Sequence, residues 1–182
     1  MQWTALLIRK KIIMNIKKMT VLSLYTTIAL IIFMIESMIP PLVPIPGIKL
    51  GLANIVTLFV LSRYTSKDAL LVLLVRIILA TFFTGQAVSF LYSLSGGLFC
   101  LGIMTLINKI LGGRYIYLTS MTGATAHNIG QILAAFFVLR LSGIFVYVLY
   151  LIISGIITGL FTGLICHFTL RYLPEQQQNF SA

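Results

Sequence analysis

The sequence predicts an all-α, polytopic membrane protein: a bundle of six transmembrane helices with a short second helix and a proline-rich outer loop. Three observations carry the prediction. The chain is 59% apolar and 9% charged, with a mean hydropathy of +1.07, whereas a soluble domain is about 25% charged. A soluble core cannot absorb that much apolar surface, so lipid is the expected solvent. At roughly 20 apolar residues per crossing, the 182 residues hold six helices and little else. The third observation is the placing of charge: Lys and Arg gather between the apolar runs, and Asp and Glu number only three.

The expected organisation is a basic cytoplasmic leader over 1–18, a membrane domain over 19–173 and a polar tail over 174–182. Arg9, Lys10, Lys11, Lys17 and Lys18 mark the leader. No small-residue cleavage site follows it, as a secretory signal would require. Met14 and Met19 are candidate natural starts.

The first helix is expected over about Thr20–Met38. The run Pro40-Pro41-Leu42-Val43-Pro44-Ile45-Pro46-Gly47 cannot be regular helix, because proline lacks the N–H and fixes φ. The second helix, about Leu50–Ser62, is short for a full crossing. Ser66 is the expected cap of the third helix, with Asp68 in its first turn facing the positive end of the helix dipole. That helix runs to about Phe83, the fourth over about Gln86–Ile107, the fifth over about Tyr117–Leu139 and the sixth over about Ile144–Tyr172.

Basic residues then divide by side. One side holds Arg9, Lys10, Lys11, Lys17, Lys18, Arg63, Lys67, Lys109, Arg114 and Arg171; the other holds Lys49 and Arg140. Ten against two places both termini in the cytoplasm. The same clustering at helix ends accounts for the positive charge without nucleic acid as a partner. Cys100 and Cys166 sit in separate apolar runs and read as small buried hydrophobes.

Polar residues at membrane depth are the candidate site. Arg76 falls near the centre of the third helix, where a charge costs about 2.5–3.5 kcal/mol on insertion scales. Two uses fit it: a packing pair with Glu36, or an anchor for a ligand anion or polar headgroup. His127, Asn128 and Gln131 make a polar patch in the fifth helix, and His127 and Gln131, four apart, share a face. They fit either interhelical hydrogen bonding or a ligand-facing patch. Glu36, Lys49, Asn54 and Gln86 fall near the outer side and are expected to form a lid or rim. Gly155, Gly159 and Gly163 recur every four residues, a stripe for close helix approach. It serves either internal packing or docking of a membrane partner.

No metal ligand set, phosphate loop or nucleophile constellation is present, so neither a metal nor a cofactor is expected. Without an acid/base pair the chain is a poor enzyme candidate.

Several blocks carry a resemblance. Glu36-Ser-Met-Ile-Pro-Pro, Pro46-Gly-Ile-Lys-Leu-Gly-Leu-Ala-Asn54, Arg76, Ser89-Phe-Leu-Tyr-Ser-Leu-Ser-Gly-Gly97, Gly123-Ala-Thr-Ala-His-Asn-Ile-Gly-Gln131 and Ser154-Gly-Ile-Ile-Thr-Gly159 occur in this order. They resemble the family labelled "Gx transporter" or "heptaprenyl diphosphate synthase component I", over roughly 20–172. The two labels imply different work. Prenyl diphosphate synthases hold Mg²⁺ with aspartate-rich motifs, and hard divalent ions want several carboxylate oxygens. Three scattered acids cannot supply them, so the synthase label implies at most a non-catalytic accessory subunit of isoprenoid or quinone metabolism.

The transporter label resembles the substrate-binding S-components of energy-coupling factor (ECF) transporters. That resemblance implies a bacterial plasma-membrane protein binding a small-molecule ligand from outside. Its partners would be membrane lipid, an ECF transmembrane subunit and an ATPase pair. S-components dock through an Ala-x-x-x-Ala pattern on the first helix; here the nearest small pair is Ser23 and Thr27. An assembly subunit of a membrane redox complex is a third reading.

Overall fold

A computed structural model of the chain describes residues 2–39, 49–140 and 146–173, with side chains described from Ile16 onward. The proline-rich loop, the side chains of Arg9, Lys10 and Lys11, and the polar tail lie outside the described residues.

Six helices follow in order among the described residues: α1 Gln2–Ser37, α2 Asn54–Arg63, α3 Ser66–Thr84, α4 Ala87–Ile110, α5 Ile116–Leu139 and α6 Val148–Tyr172. The all-α class therefore holds. Three of them have a stretch long and apolar enough to cross a membrane: Ile16–Ser37 in α1, Ala87–Ile110 and Val148–Tyr172. α3 carries Lys67, Asp68 and Arg76, and α5 carries His127, Asn128 and Gln131, so both are more polar.

Four boundaries differ from expectation by three residues or more; α4 ends at Ile110 rather than Ile107, and α6 starts at Val148 rather than Ile144. Helix α1 starts at Gln2 rather than near Thr20, so helical backbone runs through the basic leader. Helix α2 starts at Asn54 rather than Leu50, because Gly51 takes a left-handed φ of +79° that ends any helix there. The cap of α3 is Thr65, not Ser66. The Thr65 hydroxyl accepts from the Asp68 amide while Asp68 accepts from the Thr65 amide, a reciprocal capping box.

Although only ten residues long, α2 touches all five other helices. Its length, about 15 Å, is half a hydrocarbon thickness. Its apolar residues Val56, Leu58, Phe59, Val60 and Leu61 are buried on all sides, as befits a central post. Leu22 and Ala29 of α1, Val72, Leu73 and Ile77 of α3, and Cys100, Leu101 and Met104 of α4 close around it.

The second packing unit is α4–α5–α6, held by small residues. A Cβ on Gly155 would lie 3.0 Å from Thr125 Cα, one on Gly159 2.6 Å from Met121 Cα, and one on Gly163 2.9 Å from Ser120 Cβ. The glycine face of α6 is therefore filled by α5 of the same chain. Of the two uses expected for Gly155, Gly159 and Gly163, this contact is the internal packing. Ser23 and Thr27 remain exposed on α1, their hydroxyls returned to the Met19 and Ser23 carbonyls.

Polar links mark the two ends of the bundle. At one end, Lys18 Nζ lies 2.9 Å from Asp68 Oδ2, and Arg63 donates to the Leu170 and Leu173 carbonyls at 2.7 Å each. At the other end, Glu36 and Lys49 meet the segment before α2. Much of the outward surface is apolar: Phe82, Phe83, Leu149 and Phe161 are each more than half exposed. In water such surface drives association; against acyl chains it is already solvated.

Candidate functional site

The segment Lys49–Ala53 leads into α2 and is held by an acid from α1. Glu36, in the last turn of α1, accepts the Gly51 amide at 2.5 Å and the Leu52 amide at 3.1 Å. A buried carboxylate is tolerated when hydrogen bonds satisfy its oxygens, and Glu36 is 4% exposed. Lys49 donates to the Ser37 hydroxyl, and its ammonium stands 3.5 Å from the centroid of the Phe33 ring. Partial burial pulls the Lys49 ammonium down to about 8, against the opposing pull of Glu36.

Glutamine at position 36 should loosen this segment. One of the two charge-assisted bonds is lost, each worth about 1.5–3 kcal/mol, so the Gly51 and Leu52 amides of Glu36→Gln should exchange with deuterium about 10- to 100-fold faster. Exchange read by mass spectrometry on the peptide containing them checks this; unchanged protection would mean that Glu36 does not hold the segment.

Above Glu36 lies a line of polar side chains. Arg76 of α3 donates from Nη2 to Asn54 Oδ1 at 3.4 Å, and Asn54 Nδ2 lies 3.0 Å from His127 Nδ1 of α5. Arg76 orients the amide: its N–H needs the oxygen, which turns the amide nitrogen toward histidine. An amide nitrogen only donates, so His127 Nδ1 accepts and the ring proton resides on Nε2. Arg76, Asn54 and His127 are all buried.

The imidazole fits because two glycines flank it. A Cβ on Gly51 would meet His127 Cδ2 at 2.9 Å and Asn54 Nδ2 at 2.8 Å. A Cβ on Gly96 of α4 would meet His127 Nδ1 and Cε1 at 2.9 Å each, and Gln131 Cγ at 2.9 Å. Gln131 thus lies beside His127 on the same face of α5, over Gly96.

Hydrogen-bonding capacity is left over. A guanidinium has five N–H groups; among the described residues Arg76 makes the one 3.4 Å bond, and its Nε has no partner. Gln131 Oε1 and Ser89 Oγ are likewise buried and unpartnered. The packing pair between Arg76 and Glu36 is not formed: Lys18–Asp68 is the ion pair found among the described residues, and the Glu36 oxygens are taken by backbone amides.

Six expected residues therefore converge: Arg76, Asn54, His127 and Gln131, with Glu36 beside the segment before α2 and Lys49 at that segment's margin. Asn54 is a central link rather than a rim residue. Two residues stand apart. Asn128 turns to α6, where its Nδ2 donates to the Leu151 carbonyl at 2.7 Å; one residue along a helix is a rotation of about 100°. Gln86 is exposed before α4 and is given no bond to the group. Gly51, Gly96 and Ser89 fall within the blocks that carry the family resemblance, but they and Phe33 have no place among the expected site residues. The mid-helix pair Gly96-Gly97 was the available signal, since a helical glycine marks close approach.

The model of a family described as heptaprenyl diphosphate synthase component I matches residues 25–169, most of the chain. No curated protein and no solved structure matches it.

Proposed function

The chain belongs to the heptaprenyl diphosphate synthase component I family, and within that family we propose that it acts as a membrane substrate-binding subunit of a small-molecule importer. In this reading all six helices serve the membrane domain, both termini face the cytoplasm, and the ligand is an anionic or polar-headed organic molecule taken from the outer side. Arg76 carries the reading. A charge buried at the bundle centre is costly, and among the described residues no carboxylate is in ion-pair contact with it; Glu36 acts on it only through space. Such a group is expected to face the anion it evolved to hold. Arg76, Asn54, His127 and Gln131 would touch the ligand, and the Lys49–Ala53 segment, latched by Glu36, would part to admit it.

The family's description as a component I implies a second component. For an importer that partner is an ECF-type transmembrane subunit with its ATPase pair; for an accessory role in isoprenoid metabolism it is a prenyl synthase. Among the described residues, the positions of the two acids support a non-catalytic role in either case. Glu36 lies 18 residues along α1 from Lys18, the partner of Asp68, about 27 Å at 1.5 Å per residue, too far for a shared Mg²⁺.

The test is mass spectrometry of small molecules released from gently purified full-length protein, with identification of copurified chains. A stoichiometric water-soluble compound, with an ATPase module, is the expected result. A prenyl lipid with a prenyl synthase would replace the importer reading by the accessory one.

A further inference from the structure

We propose that the ligand of this site is a compact anion that also carries an N–H or O–H donor, an amide- or hydroxyl-bearing acid, rather than an anion with an apolar tail. The inference rests on the substrate-binding reading and goes further by naming the ligand's chemistry at two positions.

The argument starts from what the site leaves unmatched. Arg76 Nε is a donor without a partner, and Gln131 Oε1 is an acceptor without one. Both side chains are at least nine-tenths buried, at 3% and 1% exposure. They stand on either side of the Asn54–His127 pair. Asn54 receives Arg76 at one end and meets His127 at the other, and His127 shares with Gln131 the hollow left by Gly96. Asn54 links Arg76 to His127 at 3.4 and 3.0 Å, and His127 and Gln131, four apart on α5, have Cβ atoms about 6 Å apart, so the two unmatched groups are the ends of one row of neighbouring side chains.

The signs of the two groups define the ligand. A guanidinium offers donors only and calls for a carboxylate or phosphate oxygen. A carboxamide oxygen accepts only, and calls for N–H or O–H. The Asn54–His127 pair, being mutually engaged, spaces the two ends without demanding a third group between them. Asn128 Oδ1 is also unpartnered, but its side chain packs toward α6 and lies on a different face.

A ligand of one sign alone fits worse. A prenyl diphosphate or a phospholipid phosphodiester presents oxygens to Arg76 and hydrocarbon to Gln131, leaving the buried amide oxygen unpaired. Sites built to hydrogen-bond a polar group discriminate strongly against analogues lacking it, because the buried partner goes unsatisfied.

The experiment uses full-length protein in detergent and the compound released from it on denaturation, identified by mass spectrometry and added back to emptied protein. The compound should contain an acidic group and at least one N–H or O–H donor. Its affinity should fall about 10- to 100-fold in Gln131→Leu, while an analogue methylated at the donor should bind wild type and Gln131→Leu alike. Farnesyl diphosphate, an anion with an apolar tail and no amide or alcohol donor, should fail to displace it. Gln131→Met, also lacking the acceptor, replaces Gln131→Leu if the latter does not fold. A released water-soluble anion without such a donor, or equal affinity in wild type and variant, overturns the inference while leaving the substrate-binding reading in place; a released prenyl diphosphate overturns both. A protein that releases nothing overturns both.

Discussion

Replacing Arg76 with alanine is expected to empty the protein of its ligand while leaving the bundle folded. Arg76 is 3% exposed and among the described residues has one hydrogen bond, at 3.4 Å, with Nε unpartnered. Removing a poorly satisfied buried charge relieves its desolvation cost, which offsets the loss of the Asn54 contact. The thermal midpoint of Arg76→Ala should therefore stay near that of wild type or rise. Binding behaves differently. If a ligand anion pairs with the guanidinium, deleting one partner of a buried ion pair costs about 3–5 kcal/mol, a loss of at least 100-fold in affinity. Arg76→Lys should fall between, keeping the charge but not the planar fork. Ligand occupancy by native mass spectrometry, alongside a thermal melt, separates the outcomes. Wild-type occupancy in Arg76→Ala would end the assignment; unfolding with no loss of occupancy in Arg76→Lys would make the residue a packing element.

Gly159→Ala is expected to be the most damaging single methyl in the chain. A Cβ at this position would lie 2.6 Å from Met121 Cα and 2.9 Å from the Ser120 carbonyl oxygen. Both are backbone atoms of α5, which cannot swing aside as a side-chain tip does. The helices must separate, and overpacking of this kind costs about 1–3 kcal/mol. Separation would also carry α5 away from α6 along the line through Gly155 and Gly163, so the loss should appear as a cooperative fall in thermal midpoint. Gly102→Ala is the control: it is exposed on α4 and nothing lies within 4 Å of its Cβ position. There alanine should be neutral or stabilising, by up to about 1 kcal/mol, through helix propensity alone. Equal midpoints for the two variants would mean that α5 and α6 do not pack at this distance.

Much of the architecture was legible because it follows local rules. Apolar runs broken by Lys109-Ile-Leu-Gly-Gly-Arg114 or by Arg63-Tyr-Thr-Ser66 announce helices and their ends whatever the tertiary context. The bounds of α3 and α5 agree with expectation to within one residue. The misplacements also have local causes. Thr65 caps α3 because the reciprocal bond to Asp68 needs a hydroxyl three residues before it, which Ser66 cannot be. The start of α2 moved to Asn54 because Gly51 turns left-handed to bring its amide to Glu36.

The candidate site divides along the same line. By itself the sequence determined that this is a helical protein with an apolar exterior, that Arg76 and His127 fall inside apolar runs, and that His127 and Gln131 share a face. Those conclusions need only composition and a period of 3.6 residues. Only the tertiary structure decided that Asn54 joins Arg76 to His127, that Glu36 holds backbone amides instead of the guanidinium, that Asn128 belongs to the α5–α6 contact, and that the glycine stripe of α6 is filled from within. Each depends on a pairing between residues 15 or more apart in the chain. Helical periodicity says which residues share a face; it does not say which face of another helix will meet them.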